Sequence, residues 1–205
     1  MVMNEIKDAI ENTLVIEKSI FITNIYPVEN VSEINEIYKT IVKKYYDATH
    51  NCYAYIIDEG RIQKCSDDGE PAKTAGAPML EVLKKQELTN VLAITTRYFG
   101  GIKLGASGLV RAYSNSVSEA LKKAVRLKAE LKEIYSLTIN YSVYNNILNN
   151  LAFLDILNSS FTENVNLIIA IKKDEVFQAL EKIKNLTNGK ASIEYLREER
   201  TLCLA

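Results

Sequence analysis

The 205-residue chain has no tryptophan, one histidine, three prolines and three cysteines, and no excess of either charge. Each scarcity excludes something. Cys52, Cys65 and Cys203 are odd in number and widely spaced, so they outline no disulfide framework and no C-x-x-C metal pair. No apolar run approaches the roughly 20 residues that a spanning helix needs. Met1 to Asp8 carries acidic residues and no apolar stretch of signal-peptide length. These features predict a cytoplasmic protein with no membrane partner. The 25 basic and 26 acidic residues divide as 17 and 17 over residues 1–130 and as 8 and 9 over residues 131–205. Neither part has the basic excess of a protein that coats DNA or RNA without selectivity, so DNA is not expected as a partner and any RNA contact must be local.

What is present is an ordinary globular composition, 47% hydrophobic and 25% charged, with twelve tyrosines supplying most of the aromatic content. The length suits two modest domains. Leu14 to Tyr26 predicts a strand closed by Pro27. Ser32 is the expected N-cap of a helix carrying Ile34, Ile37, Tyr38, Ile41, Val42 and Tyr45 at helical spacing. A strand over Cys52–Ile57 follows, then an aperiodic polar segment from Arg61 to Pro78, long enough to be functional. Met79–Lys85 predicts a short helix and Val91–Thr96 a buried strand. A glycine-rich turn leads into a long helix, expected to start near Ser107, with a stripe of Leu109, Ala112, Tyr113, Ser116, Val117, Ala120 and Leu121. Beyond Leu131 the expected order is strand (Ile134–Tyr141), helix (Val143–Ala152), strands (Ile156–Phe161 and Val165–Ile171), helix (Asp174–Leu186) and strand (Ala191–Leu196). That β-α-β-β-α-β order is ferredoxin-like. The expected domains are residues 1–129 and 130–205.

Three segments carry candidate chemistry. In the glycine turn, Gly100, Gly101, Gly105 and Gly108 allow close backbone approach. The helix that follows presents free N–H groups to an anion, with Arg97, Lys103 and Arg111 nearby. Glycines also serve simply to turn a strand sharply into a helix. The spacing is not that of a Walker A loop. The acidic loop offers Asp67, Asp68 and Glu70, which suit ion pairing with those cations, a recognition surface, or Mg²⁺ and acid–base work. His50 is available as a base and shares a strand face with Cys52, yet no activated nucleophile stands beside it. The zinc-deaminase and H-E-x-x-H patterns are absent. Residue by residue, the expected ligand-binding set is His50, Asp67, Asp68, Glu70, Arg97, Gly100, Gly101, Lys103, Gly105 and Arg111. His50 and Asp68 are acid–base candidates, and neither a metal nor a cofactor is called for.

Taken together, Lys18–Ile22, D-A-T-H-N-C-Y-A-Y from Asp47, D-D-G-E-P from Asp67, T-A-G-A-P from Thr74 and R-Y-F-G-G-I-K-L-G-A-S-G-L-V-R-A-Y from Arg97 resemble the YigZ/IMPACT family in order and spacing. Two positions depart from it: the family usually has glycine where Lys73 and Ser107 stand. The resemblance implies an α+β chain. Its first domain would be similar to the second domain of small-subunit ribosomal protein five, and its second to the ferredoxin-like fifth domain of elongation factor G. It also implies a translation-associated regulator that binds RNA, the ribosome or a translation protein. Eukaryotic IMPACT relatives act by protein binding, competing for an activator of the kinase that phosphorylates initiation factor two. The alternative is an enzyme acting on a phosphorylated or carboxylated small molecule, since GHMP kinases share the first fold.

Overall fold

The computed structural model describes residues 3–150 and 154–204. They divide into two compact units, the first reaching Lys128 together with Leu204, the second running Ala129–Cys203. The short β1 (Glu5–Ile6) comes first. β2 (Ile10–Ile16) and β3 (Ser19–Pro27) then form an antiparallel hairpin with Ile16 opposite Ser19. The single strand expected over Leu14–Tyr26 is therefore two. Glu17 and Lys18 both adopt positive φ, 46° and 64°, as a tight two-residue turn of the I′ kind requires. The absence of the usual Asn-Gly pair concealed that turn.

Helix α1 (Val31–Lys44) is capped by Asn30, whose side chain accepts from the Glu33 N–H at 3.0 Å. The cap expected at Ser32 is corrected to Asn30, and Ser32 lies inside the first turn. β4 (His50–Ile57) follows, and a 3₁₀ turn at Asp58–Gly60 leads to β5 (Ile62–Ser66), which pairs with β4. The segment predicted to be an irregular polar loop thus contains a strand; its alternation is weak because β5 lies at the sheet edge and is largely exposed. Next come α2 (Gly76–Lys85), β6 (Val91–Tyr98) and α3 (Gly105–Leu121). α3 starts two residues before Ser107, and no side chain caps it.

The sheet order is β2-β3-β6-β4-β5, with every neighbouring pair antiparallel. Because β6 is central and covered on both faces, its residues are buried without alternation. One face, carrying Phe21, Ile25, Cys52, Ala54, Ile56, Val91 and Ala93, packs against α2 and α3 through Met79, Leu83, Leu109, Tyr113 and Val117. The opposite face, with Tyr55, Ile57, Leu92 and Ile94, packs against Ile34 and Ile41 of α1.

The second unit is built from β7 (Arg126–Ile139) beyond its first three residues, α4 (Tyr141–Asn150), β8 (Asp155–Phe161), β9 (Val165–Lys172), α5 (Val176–Leu186) and β10 (Ser192–Leu204) up to Cys203. β7 pairs with β9 and β9 with β8, both antiparallel, while β10 joins β7. That neighbour order is the ferredoxin-like one, with Tyr135, Leu137, Leu167 and Ile169 meeting Ile147, Ala179 and Ile183 of the helices. Ala152, the expected end of the fourth helix, lies outside the described residues. Among those described, no helix is long and apolar enough to cross a membrane.

Candidate functional site: a cleft over a buried ion pair

β6 is flanked by β3 and β4, and the register sets Phe21, Arg97 and His50 side by side across the three strands. Alternation turns all three toward the α2/α3 face. Arg97 is 5% exposed, with its guanidinium 5.4 Å from the Phe21 ring centroid and 5.5 Å from that of Phe99. A buried guanidinium needs an anion. Glu70, itself 8% exposed, provides it: Oε1 accepts from Arg97 at 2.6 Å and from the Tyr113 hydroxyl of α3 at 2.9 Å. Arg97 also donates to the Ser19 hydroxyl at 3.4 Å, while its Nε has no partner.

Glu70 reaches this point because the loop before it is pinned. Asp67 accepts backbone N–H bonds from Lys73 at 2.7 Å, Ala75 at 3.0 Å and Gly76 at 2.8 Å, so its carboxylate caps the start of α2 from across the loop. Asp68 accepts from the Asn51 N–H at 2.5 Å. Cys52 donates its thiol to the Asp67 carbonyl at 2.9 Å. Lys73, where the family usually has glycine, holds φ at 64°, the left-handed conformation that glycine tolerates best. Gly76 packs on β5: a Cβ there would lie 2.7 Å from the Ser66 backbone.

His50 Nδ1 lies 2.7 Å from the Asp68 carbonyl oxygen. A carbonyl only accepts, so Nδ1 carries the hydrogen, and in the neutral ring Nε2 keeps a lone pair. Nε2 is 3.8 Å from Glu70 Oε2. Burial, opposed by the hydrogen bond with Tyr113 and reinforced by the surrounding carboxylates, pushes the Cys52 thiol up to about 12. Burial also raises the Tyr113 phenol, with Cys52 and Glu70 adding to the shift. Both groups are therefore neutral hydrogen-bonding parts of the wall, and Cys52 is no thiolate nucleophile.

Above the ion pair opens a cleft of about 290 Å³, lined by His50, Glu70, Arg97, Phe99 and Lys103 with the first residues of α3, Gly105 and Ala106, and closed by Pro71, Leu104 and Leu109. The expected site residues thus separate into groups. His50, Glu70, Arg97, Lys103 and Gly105 meet in the cleft. Asp67 and Asp68 stand behind it and order the loop. Gly100 is structural, because a Cβ there would lie 2.0 Å from the Lys18 carbonyl carbon. Gly101, at φ 85°, faces open space. Arg111 lines a second, larger depression of about 630 Å³ with Ile16, Glu17 and Asn115, which Lys103 and Leu104 also border. Tyr113, Phe99 and Ser19 escaped sequence reasoning as site residues. Tyr113 reads only as part of the apolar stripe, and Ser19 becomes visible once the hairpin is known. No group of three or more potential metal ligands occurs among the described residues.

The fold and cleft define a two-unit α+β protein whose first unit carries the polar chemistry. The family model described as Impact N-terminal domain matches residues 17–121, and a domain of unknown function, DUF1949, matches residues 137–190. The chain is 44% identical over 192 residues to the IMPACT family member YvyE of Bacillus subtilis, covering 92% of this chain and 88% of that protein. It is 33% identical over 189 residues to YigZ of Escherichia coli, covering 89% and 92%. A crystal structure titled only as a hypothetical protein superposes with a TM-score of 0.59 at 29% identity, covering 96% of this chain and 98% of that one. The chain belongs to the IMPACT family.

Proposed function

We propose that this chain is a cytoplasmic, translation-associated regulator that acts by binding, and that the cleft over Arg97 docks RNA through a phosphate. The observation that carries the reading is the uncapped start of α3, which opens into the same cleft as Lys103 and Arg97. Free N–H groups at a helix start, the helix dipole and a flexible ammonium together favour a phosphate group. The half-exposed Phe99 and the exposed Ile102 lie on the same segment and offer apolar contact to a base. With a net charge of −1, affinity must come from this local arrangement and not from a general positive field. Membership of the IMPACT family and the fold expected from it agree with a role near the ribosome.

Co-sedimentation with ribosomes and polarisation binding to a short single-stranded RNA test the reading. Wild-type protein should bind with a shallow salt dependence, and Lys103→Glu should weaken binding about tenfold without altering the fold. Equal binding by wild type and Lys103→Glu, or none by wild type even at low salt, overturns it.

One observation favours a second reading, an enzyme on a phosphorylated or carboxylated small molecule. His50 is oriented by the Asp68 carbonyl so that Nε2 is available as a base. Asp68 is less suited to that role, because its carboxylate already accepts the Asn51 N–H. A thermal-shift screen of metabolites, followed by turnover assays on any compound that stabilises the protein, separates the two. Turnover lost in His50→Gln would replace binding by catalysis.

A further inference from the structure

Glu70 has two carboxylate oxygens in unequal surroundings. Oε1 accepts from Arg97 and Tyr113, whereas Oε2 receives no hydrogen bond from any described residue, although the side chain is only 3% exposed. Its neighbour is His50 Nε2 at 3.8 Å, and that nitrogen is itself an acceptor in the neutral ring because Nδ1 donates to the Asp68 carbonyl. With the ring neutral, two acceptors thus lie 3.8 Å apart on residues that line the cleft. A hydroxyl, with one hydrogen, can satisfy only one of them. A nitrogen bearing two hydrogens satisfies both, and two acceptors 3.8 Å apart can each take a bond, bent to about 150°, from one amino group.

The surroundings narrow the class further. Pro71, Phe99, Leu104 and Leu109 supply apolar walls, and about 290 Å³ is room for a nucleobase with part of its sugar and little more. Phe99, 47% exposed, offers a ring face. The start of α3 and Lys103 lie along the same cleft, where a phosphate would sit.

We infer that the cleft reads a single unpaired nucleotide, selecting a base with an exocyclic amino group whose two hydrogens go to Glu70 Oε2 and His50 Nε2. The inference rests on the RNA-docking reading and adds base selectivity to it. Cytosine, adenine and guanine carry such a group; uracil and hypoxanthine do not. A base without the amino group would shield the Glu70 oxygen from water without pairing it, which is the source of the discrimination.

Calorimetric titration of the full chain with the 5′-monophosphates of cytidine, uridine, adenosine and inosine tests this directly. Cytidine should bind about tenfold tighter than uridine, and adenosine about tenfold tighter than inosine. His50→Phe, with its fold checked by an amide NMR spectrum, should reduce both ratios to within about threefold. Lys103→Glu should weaken all four nucleotides while leaving the ratios in place. The wild-type ratios need no variant, so a misfolded His50→Phe would not spare the inference. Equal affinity for cytidine and uridine monophosphates, or failure of all four to bind, overturns it. If RNA still binds in a Lys103-dependent way in that case, only the base selectivity is wrong. Displacement of cytidine monophosphate by glycinamide at lower concentration than by adenosine monophosphate would also overturn it, because the notch would then be reading a peptide amino terminus.

Discussion

The two units bury different things. Among the described residues, the first unit places Glu70, Arg97, Asn51, Asn24, Ser116 and several threonines out of solvent, whereas Thr187 is the buried polar residue of the second. The ion pairs of the second unit, such as Lys172–Glu130 and Arg197–Glu199, each keep at least one partner well exposed. Its core is apolar from strand to helix. A buried charged network costs desolvation and returns it only if every partner is in place. The first unit is therefore where removal of one polar or charged side chain has large consequences, and the second is where it does not.

The sharpest way to break this comparison is Glu70→Ala. Leaving Arg97 buried without its anion should destabilise the first unit by about 3–5 kcal/mol, read as a lowered urea midpoint. A loss below about 1 kcal/mol would mean that water reaches Arg97 freely. Asp67→Ala comes next, with an expected loss of about 2–3 kcal/mol, because three backbone N–H groups at the head of α2 lose their acceptor together. Amide exchange at Lys73, Ala75 and Gly76 should quicken in step.

The alkaline limb of stability gives a smaller effect. The Cys52 thiol ionises near 9 when exposed and is pushed up to about 12 in the fold. The neutral form is the one the native state favours, so its contribution is complete below about pH 9 and is lost as the pH rises through about 12. Between about pH 7 and about pH 10 the first unit should lose about 1 kcal/mol, and Cys52→Ala should lose less over the same interval. At the bottom of the scale, Asp155→Asn, which removes the partner of Lys132 at 2.5 Å, should cost under about 1 kcal/mol because Asp155 is well exposed.

Periodicity made the helices and central strands legible, and the contiguous motifs pointed to the family. The β-α-β-β-α-β order of the second unit was readable because its apolar face recurs on each element. Three things were hidden. The Glu17–Lys18 turn is held in positive φ by residues that rarely mark one, so two strands read as one. The edge strand Ile62–Ser66 has no buried face to impose alternation. The split among the acidic residues is set by register: Phe21, Arg97 and His50 align only because β3, β6 and β4 pair as they do. Spacing placed Asp67, Asp68 and Glu70 in one loop; tertiary pairing made two of them struts and one the floor of a cleft. Arg111 meets Lys103 and Glu17 in a neighbouring depression and does not line the cleft.

Gly100 has a consequence that reaches past its own position. Because it lies flush against the Lys18 carbonyl, and Ser19 holds both the Gly100 N–H and the Arg97 guanidinium, the hairpin tip and the Phe99–Leu104 segment are mechanically one piece. Whatever settles into the cleft therefore pushes on the hairpin. Resonances of Lys18 and Ser19, outside the cleft lining, become a remote gauge of its occupancy.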